Sequence, residues 1–346
     1  MSNFHKNSGL RVRCAVVGLG GFGAARRRML RESGAFELAG GVELVDETFD
    51  RAAAEEGGHF RRYATVSEAA ADVEAVFICT PAHLHCDQAM EAASLGRAVF
   101  VEKPLSHDLE AARELVEYCE ERHIPHGHGF TMRHSASSLL LRELIEKGIC
   151  GRIASVSATS MHSGGFAYPD ENWRFLPGRN PGGPLFQCGI HKIDLLRSLF
   201  GEGEWSGALA SSDLSESQTE DSYALLGRFG GISCTLHCHY VTAYSHGLSV
   251  FGTGGNLYVS DFPTKVLWQK RSPNQGVEKI EDLGSMLPLT DGETVALREF
   301  ATAVREHRQP QPNGRDGLAA LELVFSAVAL AQGGFSVQTL ERTPTA

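Results

Sequence analysis

The 346-residue sequence predicts an α/β architecture: a doubly wound parallel sheet in residues 11–129, then an α+β domain over residues 130–340. Three observations predict it. Short apolar runs alternate with helix-period segments through the first third of the chain. A glycine-rich turn joins the first such run to the first helix. Beyond Gly129 the β-like runs follow one another, separated by Gly, Pro, Asn and Asp turns, as antiparallel neighbours do. At roughly 150 residues per domain, the length suits two domains.

In order, "RVRCAVVGLG" reads as a buried strand and "FGAARRRMLRESG" as a helix, with Phe22, Ala25, Met29 and Leu30 at helical spacing. "FELAGGVE" is a second strand and "TFDRAAAEEG" a helix. Val76–Cys79 is a strand stopped by Pro81, and "HLHCDQAMEAASLG" a helix closed by Gly96. "AVFVEKP" is a strand that Pro104 cannot continue. "DLEAARELVEYCEERH" is an amphipathic helix with Leu109, Ala112, Leu115, Val116 and Cys119 on one side. In the second half, "SSLLLRELIEKGICG" is helical. The runs at 152–162, 222–242, 247–261 and 265–271 read as strands, and helices near 293–308 and 315–333 close the chain. The Gly- and Pro-rich stretch 163–186 reads as a long functional loop.

Lys plus Arg number 32 against 42 Asp plus Glu, a formal charge of −10. That balance argues against nucleic-acid binding, which replaces phosphate counterions with basic side chains, and against docking on an anionic membrane. No apolar run reaches the roughly 18 residues of a membrane span, and the first residues lack an apolar signal core. The eight cysteines sit mostly inside apolar runs with no CxxC pair, so buried thiols in a reducing cytoplasm are expected. Arg26, Arg27, Arg28 and Arg31 read as a surface face or as a receiver of phosphate charge, and His123, His126 and His128 as a solvated or locally bonded set. Cys234, His237, Cys238 and His239 fall on opposite faces of a strand, so no metal site is expected there.

Gly18, Gly20 and Gly23 form G-x-G-x-x-G between a strand and a helix, the context that a dinucleotide pyrophosphate requires. The loop Gly18, Gly20, Gly21, Phe22 and Gly23 is therefore assigned to the cofactor. Glu43, or Asp46 if the strand runs longer, sits where an acid binds the ribose hydroxyls. Its charge would repel a 2′-phosphate, so NAD is favoured over NADP. Lys103 follows a strand whose carboxyl end faces the ligand crevice, where an ammonium can stabilise a developing alkoxide. His191 and Asp194 are three apart and adjacent if helical, and a histidine there can take the alcohol proton as hydride leaves.

These motifs together resemble the Gfo/Idh/MocA family, the glucose–fructose oxidoreductase and inositol dehydrogenase-like enzymes. The resemblance rests on the Gly18–Gly23 loop, "CTPAHLH" with Thr80, Pro81 and His85, "VEKP", and "GGPLFQCGIHKID". Trp173–Arg174 and the closing "LREF…GRDGLAALELV" extend it across residues 11–337. It implies a Rossmann domain and a second domain with a large, mostly antiparallel sheet whose open face makes a homodimer or homotetramer. It implies NAD(P)-dependent hydride exchange with a secondary alcohol or ketone of a sugar, cyclitol or derivative. Lys103 and His191 then map to the catalytic pair, and Thr80, Pro81, His85 and Glu102 to the cofactor side. Substrate contacts are assigned to Arg133, His162, Trp173, Arg174, Gln187 and Asp194. Two departures stand out. Gln187 replaces an Asp four residues before the histidine and would orient a substrate hydroxyl, and Thr131 replaces a frequent Asn. Gln187 keeps one alternative open, a catalytically silent nucleotide-binding regulator, and an NAD-dependent glycoside-cleaving enzyme, in which hydride transfer is transient, is a further alternative.

Overall fold

A computed structural model describes residues 11–167, 172–261, 264–272, 279–288 and 291–333. The first half builds β1 (Val12–Val17), α1 (Gly21–Ser33), β2 (Phe36–Val42), α2 (Asp46–Glu56), β3 (Arg61–Tyr63) and α3 (Val66–Asp72). It continues with β4 (Ala75–Ile78), α4 (His85–Ser94), β5 (Ala98–Val101), α5 (Leu109–Glu121) and β6 (His126–His128). The six strands pair in parallel in the order β3-β2-β1-β4-β5-β6. Their order reverses between β1 and β4, where open α/β sheets place their ligand.

Alternate residues of one strand feed two cores. Ala15 and Val17 of β1 pack with Ala69, Ala89 and Leu115, toward α3, α4 and α5. Cys14 and Val16 face the other way, toward Leu30, Phe49 and Phe300. Phe300 belongs to α8 (Gly292–Glu306), which comes from the far end of the chain. Its ring lies 5.2 Å from Phe100, 5.6 Å from Phe77 and 6.3 Å from Phe36. The C-terminal part of the sequence thus completes the layer over the N-terminal sheet.

The second half contributes α6 (Ala136–Glu146), β7 (Ile153–Met161), α7 (Ile190–Phe200), β8 (Gly203–Ser211), β9 (Ser222–Phe229) and β10 (Ile232–His239). Then come β11 (Ser245–Gly252), β12 (Gly255–Asp261), β13 (Thr264–Lys270), β14 (Ile280–Asp282), α8 and α9 (Gly314–Gly333). Eight strands pair in the order β14-β13-β12-β11-β7-β10-β9-β8, and only β7 and β10 run parallel. In β10, Cys234, Leu236 and Cys238 point into the core while His237 and His239 face outward. All eight cysteines are free.

Several expectations are corrected. The 222–242 run is two strands split at Gly230–Gly231, whose positive φ values (55° and 80°) suit glycine. The sequence reading omitted β3, α3, β6, β8 and β14. The three-residue strands are too short to alternate, but α3 carried a signal: Thr65 caps it by accepting from Glu68 N at 3.1 Å, an S/T-x-x-E pattern. His126 and His128 are not solvated. They lie on β6 with 1% and 0% exposure, under the start of α9. A Cβ on Gly314 would fall 2.1 Å from the His126 ring, and one on Gly317 3.0 Å from His128. One helix passes a membrane-span test by length and mean hydropathy alone, although charged residues interrupt its apolar run. α9 is 20 residues long and apolar enough. It buries Leu318, Leu321, Val324 and Ala327, and Leu323 O accepts from Trp205 Nε1 at 3.1 Å.

Candidate active site

The glycine loop sits at the carboxyl end of β1, where α1 begins at Gly21. Gly18 has φ +82°, and a Cβ there would lie 2.9 Å from Thr80 Cγ2. A Cβ on Gly23 would lie 1.9 Å from Gly18 O, so only glycine lets the helix close on the strand. Gly21 has φ +45° and no neighbour within 4 Å of a built Cβ, leaving open space before the helix. Gly20 caps α1 without a side-chain bond, and the helix N-terminus offers free N–H groups to phosphate. Phe22, 45% exposed, borders the same turn. Glu43 follows β2 directly. Its Oε2 accepts from Leu19 N at 2.9 Å, and its Oε1 from Leu44 N and Val45 N at 2.9 and 3.1 Å. Asp46 opens α2 and pairs with Arg62 at 2.6 Å. The open loop, the free helix end and the carboxylate at the strand end fit a nicotinamide dinucleotide.

Across the switch point, Pro81 ends the β4 turn and Thr80 Oγ1 donates to Gln88 Oε1 at 2.6 Å. Lys103 follows β5, and its Nζ donates to the Gln187 carbonyl at 3.0 Å. That carbonyl belongs to a π-helical turn, Leu185–Gly189, leading into α7. His191 is on the first turn of α7. Burial lowers the Lys103 pKa, partly offset by Cys188 and Glu102. Burial, then the nearby Lys103 charge, hold His191 well below the usual imidazole value. Its Nδ1 is buried without a partner among the described residues. Lys103 is thus near enough for its charge to act on His191, whose imidazole is neutral at pH 7.

Comparison with known proteins agrees with this geometry. Residues 12–129 match the family described as "Oxidoreductase family, NAD-binding Rossmann fold", and residues 138–258 match its "GFO/IDH/MocA C-terminal domain". The chain belongs to the GFO/IDH/MocA family of oxidoreductases. Among its relatives is 1,5-anhydro-D-fructose reductase of Ensifer adhaerens, 28% identical over 87% of this chain and 92% of the relative. Inositol 2-dehydrogenase of Rhizobium meliloti (strain 1021) is 24% identical over 92% and 96%. A levoglucosan dehydrogenase solved with NADH and levoglucosan shares the fold at TM-score 0.82, with 21% identity over 94% and 98%. A putative NADPH-dependent oxidoreductase from Desulfitobacterium hafniense DCB-2 does so at TM-score 0.87, with 22% identity over 93% and 96%.

Within this GFO/IDH/MocA site, several residues are placed differently from the sequence expectation. Arg133 and Asp194, expected to touch substrate, bind each other. Arg133 Nε donates to Asp194 Oδ2 at 2.7 Å, Nη2 to Oδ1 at 2.5 Å, and Nη2 also to Asp316 Oδ1 at 2.9 Å. Asp194 is fully buried, so its oxygens are closed to a ligand. Arg133→Met should therefore cost about 3–5 kcal/mol of stability by stranding that carboxylate. Urea midpoints test this, and Arg133→Met with Asp194→Asn should recover part of the loss. A raised KM with unchanged stability would restore the substrate role.

His85 is 1% exposed, and both its ring nitrogens lie against carbonyls, Pro104 O at 2.8 Å and Thr80 O at 2.7 Å. It braces the β4 and β5 turns rather than facing a cofactor. Glu102, 5% exposed, accepts from Arg26 Nε at 2.7 Å. Arg26 also reaches Glu293 at 3.1 Å, and Thr131 Oγ1 donates to Glu293 at 2.6 Å. Arg26 and Arg27, read as a surface face, are 0% and 1% exposed, and Arg27 pairs with Glu55 and Glu56 at 2.9 and 2.6 Å.

The Gln187 side chain is 6% exposed and donates to Asn180 Oδ1 at 3.3 Å; Asn180 in turn donates to Tyr240 OH at 3.2 Å. Its carbonyl, not its amide, serves Lys103. His162 Nδ1 accepts from Gly164 N at 2.8 Å, so Nε2 carries the proton and meets Cys188 Sγ at 2.9 Å. Both its nitrogens are occupied. Trp173 and Arg174 form a short 3-10 turn, with the guanidinium 4.5 Å from the indole ring and its charge felt at Lys103 and Cys188. Cys188 and Glu293 escaped the sequence reading. No spacing rule links a residue near position 293 to the first sheet.

Proposed function

We propose that the chain oxidises a secondary alcohol, or reduces the matching ketone, on a free sugar, cyclitol or derivative with NAD. The observation that supports this reading is that Lys103, bonded to the turn that leads into α7, acts by its charge on His191 of that helix, while the glycine turn at the end of β1 stays open. Bound at that loop, NAD supplies the hydride acceptor. Gly18, Gly20, Gly21 and Gly23 hold the pyrophosphate through backbone N–H groups, and Glu43 takes the ribose hydroxyls while opposing a 2′-phosphate. Lys103 keeps two N–H donors beyond its bond to Gln187 O and directs them at the reacting oxygen. His191, neutral at pH 7, accepts the hydroxyl proton. The second sheet with α6 and α7 supplies the substrate side, α8 being packed on the first sheet, and Trp173 and Arg174 are offered as substrate contacts.

The eight free thiols support a reducing cytoplasmic setting. The outward face of the second sheet, where Leu226 is 52% exposed, supports a homodimer or homotetramer.

The test is a screen of free sugars and cyclitols with NAD and NADP, followed by the absorbance of reduced nicotinamide. His191→Gln should lower kcat about 100-fold. A variant within twofold of the parent would remove His191 from the mechanism. The pH profile gives a second check. Alcohol oxidation needs neutral His191 and charged Lys103. The rate should therefore rise through a pKa below 6.5 and fall through one below 10.5. An acid limb above pH 7 would contradict the neutral imidazole.

A further inference from the structure

Beside His191 lies a cavity of about 430 Å³, within the roughly 300–1,000 Å³ usual for small-molecule sites. Its wall opposite α7 is acidic. Asp261 at the end of β12, with Asp291 and Glu293 at the start of α8, line it together with Met132 and Tyr244. No Lys or Arg is among the described residues lining it. The cations that pair with these acids stand behind the wall. Lys192, 1% exposed, meets Asp261 at 2.7 Å from within the core. Arg26, fully buried, divides one positive charge between Glu102 and Glu293. Asp291 is held by uncharged donors, Glu293 N at 3.2 Å and Thr294 Oγ1 at 2.6 Å. Four carboxylates therefore share two cations, and three of the four acids line the cavity. At its inner end His191 offers a neutral ring with a buried, unpartnered Nδ1.

We propose that this wall sets the charge class of the substrate: neutral or amino-bearing polyols enter, whereas phosphorylated, carboxylated and nucleotide-linked sugars are turned away. The inference rests on the NAD-linked polyol reading above and narrows it. The portion of the ring beyond the reacting carbon lies against Asp261, Asp291 and Glu293. Hydroxyls and ammonium groups donate to these oxygens. An ionised phosphate or carboxylate accepts rather than donates and meets a wall that stays net negative, four carboxylates against two cations, in a partly enclosed space.

The test compares matched pairs with NAD: glucose with glucose 6-phosphate, galactose with galacturonate, myo-inositol with its 1-phosphate, and N-acetylglucosamine with UDP-N-acetylglucosamine. For the pair that is turned over, kcat/KM for the neutral member should exceed that of the anion about 100-fold at low salt. Raising NaCl from about 20 to 300 mM should shrink the ratio, since screening shortens the reach of the wall. Asp291→Asn keeps an N-cap side chain and removes the charge, and should narrow the ratio about fivefold. Glu32→Gln, in the last turn of α1, changes net charge equally and should leave the ratio alone. An anionic member used as well as its neutral partner, or a ratio equally sensitive to both variants, overturns the inference while the hydride-transfer reading stands. Failure of every pair to reduce NAD would instead overturn that reading, and the inference with it.

Discussion

Lys103→Met should lower kcat for alcohol oxidation about 1,000-fold while changing NAD affinity by less than about threefold. Removing one preorganised donor from a developing oxyanion typically costs about 10²–10³, and loss of the charge that favours the alkoxide adds to this. Methionine nearly matches the lysine stem, so the pocket stays filled. Removing a charge whose pKa burial already depresses relieves a desolvation cost, which opposes the loss of the bond to Gln187 O. The variant should therefore stay folded. Steady-state kcat and a fluorescence titration with NADH separate the two effects. A kcat within tenfold of the parent would sink the proposed role, and a collapse of NADH affinity would make Lys103 a cofactor ligand instead.

Acid should destabilise this protein steeply before its carboxylates titrate. His126 and His128 are at most 1% exposed. Burial pushes His126 down to about 4, and His128 well below the usual imidazole value. Their stabilising contribution is complete above the unfolded value near 6.5. It is lost as the pH falls toward the folded values, because the unfolded chain binds protons that the folded one refuses. Each proton taken up on unfolding contributes about 1.4 kcal/mol per pH unit. These two rings contribute a slope of about 3 kcal/mol per unit between roughly pH 6 and 5. Urea midpoints at pH 7, 6 and 5 measure it. His126→Gln should remove about half of that contribution, and a flat stability between pH 7 and 5 would show that these rings are charged in the fold.

The contrast between Gly23 and Arg133 shows how much of the site was legible. Gly23 works through local backbone geometry, a turn between a strand and a helix, and its neighbours in sequence announce that context. The same holds for Lys103, placed by the end of β5, and for His191, carried by α7. Arg133 has a plain local setting too, but its role depends on Asp194 and Asp316, which approach from distant elements. Arg26 is similar. Its helix reads as basic, and only the arrival of Glu102 and Glu293 turns that surface into a buried ion network.

The sequence by itself determined the parallel sheet, the glycine loop, the acid after β2, the lysine after β5 and the histidine on α7. Each follows from hydrophobic period, turn chemistry or spacing within a few residues. Tertiary structure alone decided which polar groups face a ligand and which face each other. It returned α8 to the first sheet, buried two arginines behind glutamates, turned Gln187 inward toward Asn180 and set three carboxylates along one cavity. The physical reason is that a buried charge must find its counter-charge. Partners carried on different elements, from Arg27 and Glu56 at 29 residues apart to Arg26 and Glu293 at 267, leave no local pattern for the sequence to display.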